Sequence, residues 1–260
     1  MKKMLISILI FAICIGSTSC YVLANEMKDN KCILNNEITD EKVLLYRAKN
    51  EINDAPQEHI DYILSNTEIE IDGVLQDVEP LVTTQLIEKS FDNSGNMEAE
   101  YAATVITDAE IITDKNGVAV LSTSNYSKTE NKLSQGKDVR LYTTIYYTMG
   151  TYNKIDYIKL TKVTAKSELV DTSCRIPYTK VRGGYRGYNL ATKNWDDKTF
   201  SWVQKSGFSS SSTISGAMLE ATPGGILYSV WGEAYCQIKR GTQTWSFSMK
   251  VYEAGAGSVL

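Results

Sequence analysis

The sequence predicts a mainly β protein, built as an antiparallel β-sandwich or barrel-like modules with a short helical N-terminal region. Three observations predict this class. Apolar and polar residues alternate with a period of two through most of the chain after residue 66. Turn-forming residues separate these alternating runs at short intervals, as in sandwiches and barrels. No helical stripe longer than two turns follows residue 70, which argues against the crossover helices of a parallel sheet.

The 260-residue chain begins with a segment typical of secretory signal peptides. Lys2 and Lys3 precede an apolar run over 4–15, and Ala24 ends a stretch of small and aliphatic residues suited to cleavage. The run is shorter than the roughly 20 residues that a membrane-spanning helix needs. We therefore expect a secreted, extracellular protein. The alternative is a lipid anchor on Cys20, which follows small residues but lacks the usual aliphatic residue three positions earlier.

Two short helices should follow the signal. Thr39 is placed as the N-cap of a helix over 40–50, whose first turn is acidic as the helix dipole favours. Asp54 is placed as the cap of a second helix, with Pro56 in the first turn and an apolar stripe that ends near Asn66.

In the remainder of the chain, apolar and polar residues alternate along predicted strands, and turn sequences separate these strands. Antiparallel pairing is the economical topology because one buried and one solvated face explains the alternation. The expected strand pairs are 81–91 with 97–105, 109–113 with 118–123 around a turn at 114–117, 139–147 with 155–164, and 226–240 with 244–253.

Charge is distributed unevenly between the two halves of the chain. Residues 25–136 contain 22 acidic and 9 basic residues, whereas residues 172–260 contain 5 acidic and 10 basic residues and all four tryptophans. This shift suggests two modules. The predicted organisation is a signal peptide over 1–24, a helical region over 25–66, an acidic antiparallel β module over 67–170 and a basic, aromatic-rich β module over 171–260.

Cleavage after residue 24 would leave three cysteines, Cys32, Cys174 and Cys236. Cys174 and Cys236 lie in the same strand-rich half and form a candidate disulfide, as an oxidising compartment permits. The loop of 62 residues that it closes would contribute about 4 kcal/mol. The alternative is three reduced cysteines, two of them buried as small apolar residues.

Catalytic motifs are scarce. His59 is the one histidine, which excludes paired-histidine metal motifs, and its place beside an apolar stripe predicts a half-exposed surface residue. No phosphate-binding glycine loop is present, and we expect no metal and no cofactor. Carboxylate pairs are the remaining enzymatic route, as in a glycan hydrolase. The candidates are Asp196, Asp197, Glu220 and Glu233, whose spacing does not favour a catalytic pair.

A binding site is better supported, because the run from Arg182 to Tyr188 mixes cations and aromatic residues on a glycine-rich backbone. Such groups can stack on sugar rings or hold anionic polymers. The candidate ligand-binding residues are Arg182, Tyr185, Arg186, Tyr188, Trp195 and Trp202. The structural alternative is a glycine-bulged hairpin whose aromatic side chains belong to the core.

A serine-rich segment over 206–216 is similar to the Ser/Thr-rich hairpins that pore-forming β proteins insert into bilayers. Inserted strands alternate apolar and polar residues over about ten positions, and four consecutive serines do not. We therefore predict a flexible surface loop here.

The lysine-rich start of the signal and the strand runs over 139–148 and 156–163 resemble uncharacterised secreted proteins of Gram-positive bacteria. That resemblance implies export and an all-β module, and no activity. We expect a non-enzymatic protein that binds an anionic cell-wall polymer, a glycan or a membrane surface, with no role for nucleic acid. The alternatives are a membrane-acting, toxin-like protein and a carboxylate-based glycan hydrolase.

Overall fold

The structure, a computed structural model, describes residues 32–92, 95–113, 119–123, 138–221 and 228–253. Over 111–113 and 119–123 it describes the backbone alone. The predicted signal peptide, with the alternative anchor Cys20, lies outside the described residues, as does the predicted turn at 114–117.

The described part of the chain contains two helices and fifteen strands. The helices are α1 (Glu41–Lys49) and α2 (Gln57–Asn66). The strands are β1 (Cys32–Leu34), β2 (Glu68–Ile71), β3 (Val74–Leu75), β4 (Leu81–Phe91), β5 (Met97–Thr113), β6 (Ala119–Thr123), β7 (Val139–Tyr152), β8 (Ile155–Leu169), β9 (Tyr178–Asn189), β10 (Asn194–Thr199), β11 (Val203–Ser206), β12 (Ser209–Thr213), β13 (Leu219–Glu220), β14 (Ser229–Arg240) and β15 (Gln243–Glu253).

Both predicted helices exist, and both begin at a different residue from the predicted one. The N-cap of α1 is Asp40 rather than Thr39, because the Asp40 carboxylate accepts hydrogen bonds from two first-turn amides. Pro56 occupies the cap position of α2. Asp54, the predicted cap, instead accepts from the backbone amide of Leu86 on β4 at 3.0 Å. Among the described residues, neither helix is long and apolar enough to cross a membrane.

The strands form one open sheet in which every pairing is antiparallel. The order along the sheet is β1-β4-β5-β7-β8-β13-β9-β14-β15-β2-β3, and β6, β10, β11 and β12 pair at its sides. This confirms the predicted class, a mainly antiparallel β protein with a short helical N-terminal region.

All four predicted strand pairs are present: β4 with β5, β5 with β6, β7 with β8, and β14 with β15. The β7-β8 hairpin turns at Asn153 and Lys154, which both have positive φ, as a two-residue turn between twisted strands requires. Gly241, with φ of 60°, serves the same purpose between β14 and β15.

The sheet folds over on itself so that β14 faces β7 and β8 across the core. Gly232 on β14 shows this directly: a Cβ placed there would lie 2.5 Å from Cγ2 of Ile145 and 2.8 Å from Cγ1 of Val163. Glycine therefore allows the two layers to approach closely. Helix α2 packs against both β4 and β15, which lie near opposite ends of the strand order.

The segments 67–170 and 171–260 contribute strands to the same sheet. β8 ends the first segment and pairs with β12 and β13 of the second. Buried side chains of both segments also belong to one hydrophobic cluster. The division into an acidic and a basic module stays a prediction.

The prediction of a flexible loop over 206–216 is wrong for its central part. Residues Ser209 to Thr213 form β12 and pair along the edge of β8. Ser210 is buried, and its hydroxyl donates to the Val203 carbonyl oxygen at 2.7 Å. Serine runs are compatible with a strand when the neighbouring strand satisfies the backbone and a nearby carbonyl satisfies the side chain.

Candidate functional site: a cation-aromatic face

The outward side of β9, β14 and β15 carries cations and aromatic rings in alternation. Along each of these strands, buried residues alternate with partly exposed ones, so every second side chain points outward. We call this surface the cation-aromatic face. It comprises Lys180, Arg182, Arg186, Tyr188, Trp195, Trp202, Trp231, Tyr235, Lys250 and Tyr252.

Arg182 lies at the centre of the face. Its Nε donates to Oε2 of Glu233, its direct neighbour on β14, at 2.7 Å. The guanidinium carbon is 4.4 Å from the ring centroid of Trp202 and 5.8 Å from that of Trp231. Cations at these distances are attracted by the ring quadrupole. Gly184 makes room for the Trp231 indole, because a Cβ there would lie 2.4 Å from an indole carbon.

Two lysines extend the same pattern on either side of Arg182. Lys180 Nζ is 4.5 Å from the Trp202 ring centroid and 4.1 Å from that of Tyr235. Lys250 Nζ is 4.5 Å from the Trp231 centroid and 4.6 Å from the Tyr252 centroid. The rings hold these ammonium groups in place without neutralising their charge.

A second cluster lies where β10 pairs with β9. Arg186 is 5.6 Å from the ring centroid of Trp195 and 3.7 Å from Oδ2 of Asp197, and both side chains of the ion pair are mostly exposed. Tyr188 lies directly opposite Trp195 in the strand register. Trp195 is 45% exposed, so its ring is accessible to a ligand.

The face carries charges of both signs. Four cations, Lys180, Arg182, Arg186 and Lys250, lie among the carboxylates of Glu233 and Asp197 and those of Glu68 and Glu70 on β2. Glu68 lies opposite Lys250 in the strand register and accepts from the Tyr252 hydroxyl at 3.3 Å. Burial, with the hydrogen bond to Tyr178, raises the pKa of Tyr235 to about 12, so this phenol adds no charge near neutral pH. The ring-held cations can contact anionic groups, and the rings beside them present surfaces to sugar rings.

The structure brings together five of the six predicted binding residues: Arg182, Arg186, Tyr188, Trp195 and Trp202. Tyr185 is on the opposite side of β9. Its ring is buried against Phe200 and its hydroxyl donates to Asp196 at 3.2 Å. The strand period explains this, because Tyr185 is an odd number of residues from Arg182 and Arg186.

Sequence reasoning missed five members of the face: Lys180, Trp231, Tyr235, Lys250 and Tyr252. A signal existed in the alternation of Trp231, Glu233 and Tyr235 along β14, which places these side chains on one side of a strand. What the sequence does not reveal is that β14 pairs with β9, which places Glu233 opposite Arg182, 51 residues earlier in the chain.

The carboxylates considered for catalysis lie apart or in ion pairs. Glu233 is bound to Arg182, and Asp197 lies beside Arg186. Asp196 accepts from Tyr185 and Asn189 on the other side of β10. Glu220 is on β13, half-buried, beside β8.

His59 is not the half-exposed residue that the sequence predicts. It is buried, and Nδ1 lies 2.6 Å from Oε1 of Glu253, a fully buried carboxylate at the end of β15. Burial disfavours the charged ring, but the hydrogen bond and charge of Glu253 outweigh it, so the pKa of His59 is raised. Burial also raises the pKa of Glu253, against the influence of His59.

The candidate disulfide is not formed, because Cys174 and Cys236 are both free thiols. Arg175 pairs with Lys239, so Cys174 lies beside Arg240, four residues along β14 from Cys236. Four strand residues span about 13 Å, whereas a disulfide needs Cα atoms within about 7 Å. Cys236 is instead buried in the core, and burial raises its pKa to about 12.

Cys174 belongs to a polar cluster with Asp138 and Asp171, whose ligand atoms lie within 4.8 Å of one another. A guanidinium already occupies this cluster. Nη2 of Arg240 is 3.0 Å from Asp138 and also contacts Asp171. Hydrogen bonds from Ser173 and the nearby Arg240 lower the pKa of Asp171 to about 2. The cluster is thus an ion-pair network that ties β14 to the start of β7.

Comparisons with known proteins found no relative of this chain. No family model, no curated protein and no solved structure matches the chain.

Proposed function

We propose that the protein is a secreted binding protein whose cation-aromatic face holds an anionic polymer at the cell envelope. The observation that supports this most is the ladder in which Lys180, Arg182 and Lys250 each lie against aromatic rings on one side of the sheet. Ring-held cations lose less conformational entropy on binding because they are already ordered.

Charge distribution gives this face a distinct role within the molecule. The chain carries a net charge of −4, and its acidic residues are concentrated before residue 137. An acidic body repels polyanions, so attraction is confined to the ring-held cations of the face and the complex has a defined orientation. The sequence of the first 24 residues supports a location where such polymers occur.

The ligand class follows from the spacing of charge and rings. Lys180 and Arg182 lie two residues apart on β9, about 6.6 Å, and Arg186 lies four residues beyond Arg182 on the same side. A polymer with repeated phosphate or carboxylate groups can contact several of them at once. Rings beside each cation provide surfaces for the sugar or polyol units between the charges.

Cosedimentation with isolated Gram-positive cell walls, before and after removal of their anionic polymers, tests this proposal. The chain from residue 25 is compared with Arg186→Gln/Lys250→Gln, which removes two cations whose loss leaves the Arg182-Glu233 ion pair intact. At about 1 kcal/mol per cation, the expected loss of affinity is about 30-fold at low salt.

A matched control removes two positive charges elsewhere. Lys42 on α1 and Lys89 on β4 lie away from β9, β14 and β15, and Lys42→Gln/Lys89→Gln should retain wild-type binding. Equal retention of all three proteins, or retention on walls stripped of anionic polymer, would contradict the proposal. Dye release from anionic liposomes would support the membrane-acting alternative instead.

A further inference from the structure

A row of hydroxyl groups crosses five neighbouring strands on the outer side of the sheet, away from the cation-aromatic face. Strand registers place each member directly opposite the next, so all of them share one side of the sheet. With strands about 4.8 Å apart, the row is roughly 19 Å long. From β4 to β12 its members are Thr83, Thr104, Thr144, Thr164 and Ser211.

Most of this row forms the floor of a cavity. Thr83, at one end, is covered: its hydroxyl donates to the Ile52 carbonyl oxygen at 2.8 Å and accepts from Arg47. The other four residues line a cavity of about 350 Å³ between the sheet and the segment that leads into α1. We call this cavity the hydroxyl pocket. Its volume is within the range of small-molecule sites.

Two parallel rows flank the hydroxyls with rings and amines. On one side Tyr142 lies opposite Lys166, and on the other Tyr146 lies opposite Lys162. Lys162 Nζ is 4.1 Å from the Tyr146 ring centroid. Burial keeps both phenols neutral by raising the pKa of each. The pocket therefore has neutral hydroxyls along its centre and Tyr-Lys pairs at both margins.

Carboxylates from the N-terminal segment close the pocket from above. Glu37 accepts a hydrogen bond from the Tyr146 hydroxyl at 2.5 Å, and Glu41 forms an ion pair with Lys166. Lys205 of β11 completes the lining. Donors and acceptors are thus mixed around the cavity, and its positive charges are largely balanced by carboxylates.

We propose that the hydroxyl pocket binds a saccharide of one or two rings. Vicinal sugar hydroxyls both donate and accept, which matches a lining of threonine and serine hydroxyls, carboxylates and amines. Tyrosine rings at the margins suit the apolar face of a pyranose ring. Thr104 and Thr144 already share a hydrogen bond at 2.9 Å. The remaining hydrogen-bonding capacity of the row suits a ligand with several hydroxyl groups better than an apolar ligand or a simple anion. This site is separate from the cation-aromatic face and does not depend on its function.

In this proposal the serine-rich segment lines the sugar-binding pocket. Ser209 and Ser211 lie on the same side of β12, opposite Lys166 and Thr164. A run of small hydroxyl residues leaves space for a ligand while still offering hydrogen bonds. Larger side chains at these positions would fill the cavity.

Saturation-transfer NMR on the chain from residue 25 tests the proposal with glucose, galactose, N-acetylglucosamine, glucuronate and β-1,4-linked disaccharides. At least one sugar should bind with a dissociation constant in the millimolar range or below. Thr144→Val and Thr164→Val keep the side-chain shape and remove one floor hydroxyl each, so each should weaken binding about five-fold.

Thr244→Val, which removes a hydroxyl at the far end of β15, is the matched control and should bind as the wild type does. Thermal unfolding of each variant verifies that it is folded. The proposal is overturned if no sugar of the panel binds below about 50 mM, or if both floor variants, folded, bind as tightly as the wild type.

Discussion

Replacing Gly232 by alanine should destabilise the protein, because two layers of the folded sheet meet at this residue. The added Cβ would lie 2.5 Å from Cγ2 of Ile145 and 2.8 and 3.0 Å from the two methyl groups of Val163. Carbon atoms pack best at about 3.5–4.0 Å, so the overlap approaches 1 Å. Both neighbours are β-branched and stiff, which leaves the backbone layers to separate.

The expected size follows from two opposing effects. Overpacking a core by one methyl group costs about 1–3 kcal/mol. Replacing glycine restricts the unfolded chain and restores about 0.4–1 kcal/mol. The net loss for Gly232→Ala is about 1–2 kcal/mol, which corresponds to a melting temperature lower by about 2–8 °C for a domain of this size.

Urea unfolding of the chain from residue 25, followed by tryptophan fluorescence, measures this loss. Val163→Ala removes two of the three clashing methyl groups, so the double variant should be at least about 0.5 kcal/mol more stable than the sum of the single losses predicts. Additive effects, or no loss in Gly232→Ala, would refute the reasoning that β14 faces β8 across one core.

Two further predictions concern buried titratable groups. The raised pKa of His59 means that the folded state binds the imidazole proton more tightly than the unfolded state does. The stability from the His59-Glu253 pair is therefore present below about pH 6.5 and decreases as pH rises through the folded-state pKa. Urea unfolding at a series of pH values should show this decrease, and His59→Gln should make the free energy of unfolding less dependent on pH. Cys174 and Cys236 should resist thiol labelling in the native protein and react after unfolding without reductant; a mass shift of two hydrogens on reduction would contradict the free thiols.

The sequence predicts the local elements of this fold well because their signals are local. Alternation of period two marks β4, β5, β7 and β8, and turn residues mark where each hairpin reverses. The helix starts were missed by one or two residues because neighbouring polar side chains compete for the cap position. Asp54 is the clearest example, since its carboxylate accepts a hydrogen bond from the backbone amide of Leu86 on β4 instead of capping α2.

Long-range pairing could not be predicted from these signals. The cation-aromatic face needs β9 beside β14, and the His59-Glu253 pair joins residues 194 positions apart. Nothing in the spacing of His59 indicates that α2 covers the end of β15 and buries its side chain. The disulfide prediction was wrong for the same reason. The sequence does not show which residues of neighbouring strands lie opposite each other, and the observed strand register separates Cys174 and Cys236.

The most direct test of the proposed function is a fluorescence titration with polyphosphate, at a series of salt concentrations and with neutral dextran as the comparison. Trp202 and Trp231 lie against Arg182 at the centre of the face, so a bound polyanion should change tryptophan emission. Binding that weakens steeply with salt, is absent for dextran and is reduced about 30-fold in Arg186→Gln/Lys250→Gln is the predicted result. Unchanged emission at low salt, or equal affinity of variant and wild type, would contradict it.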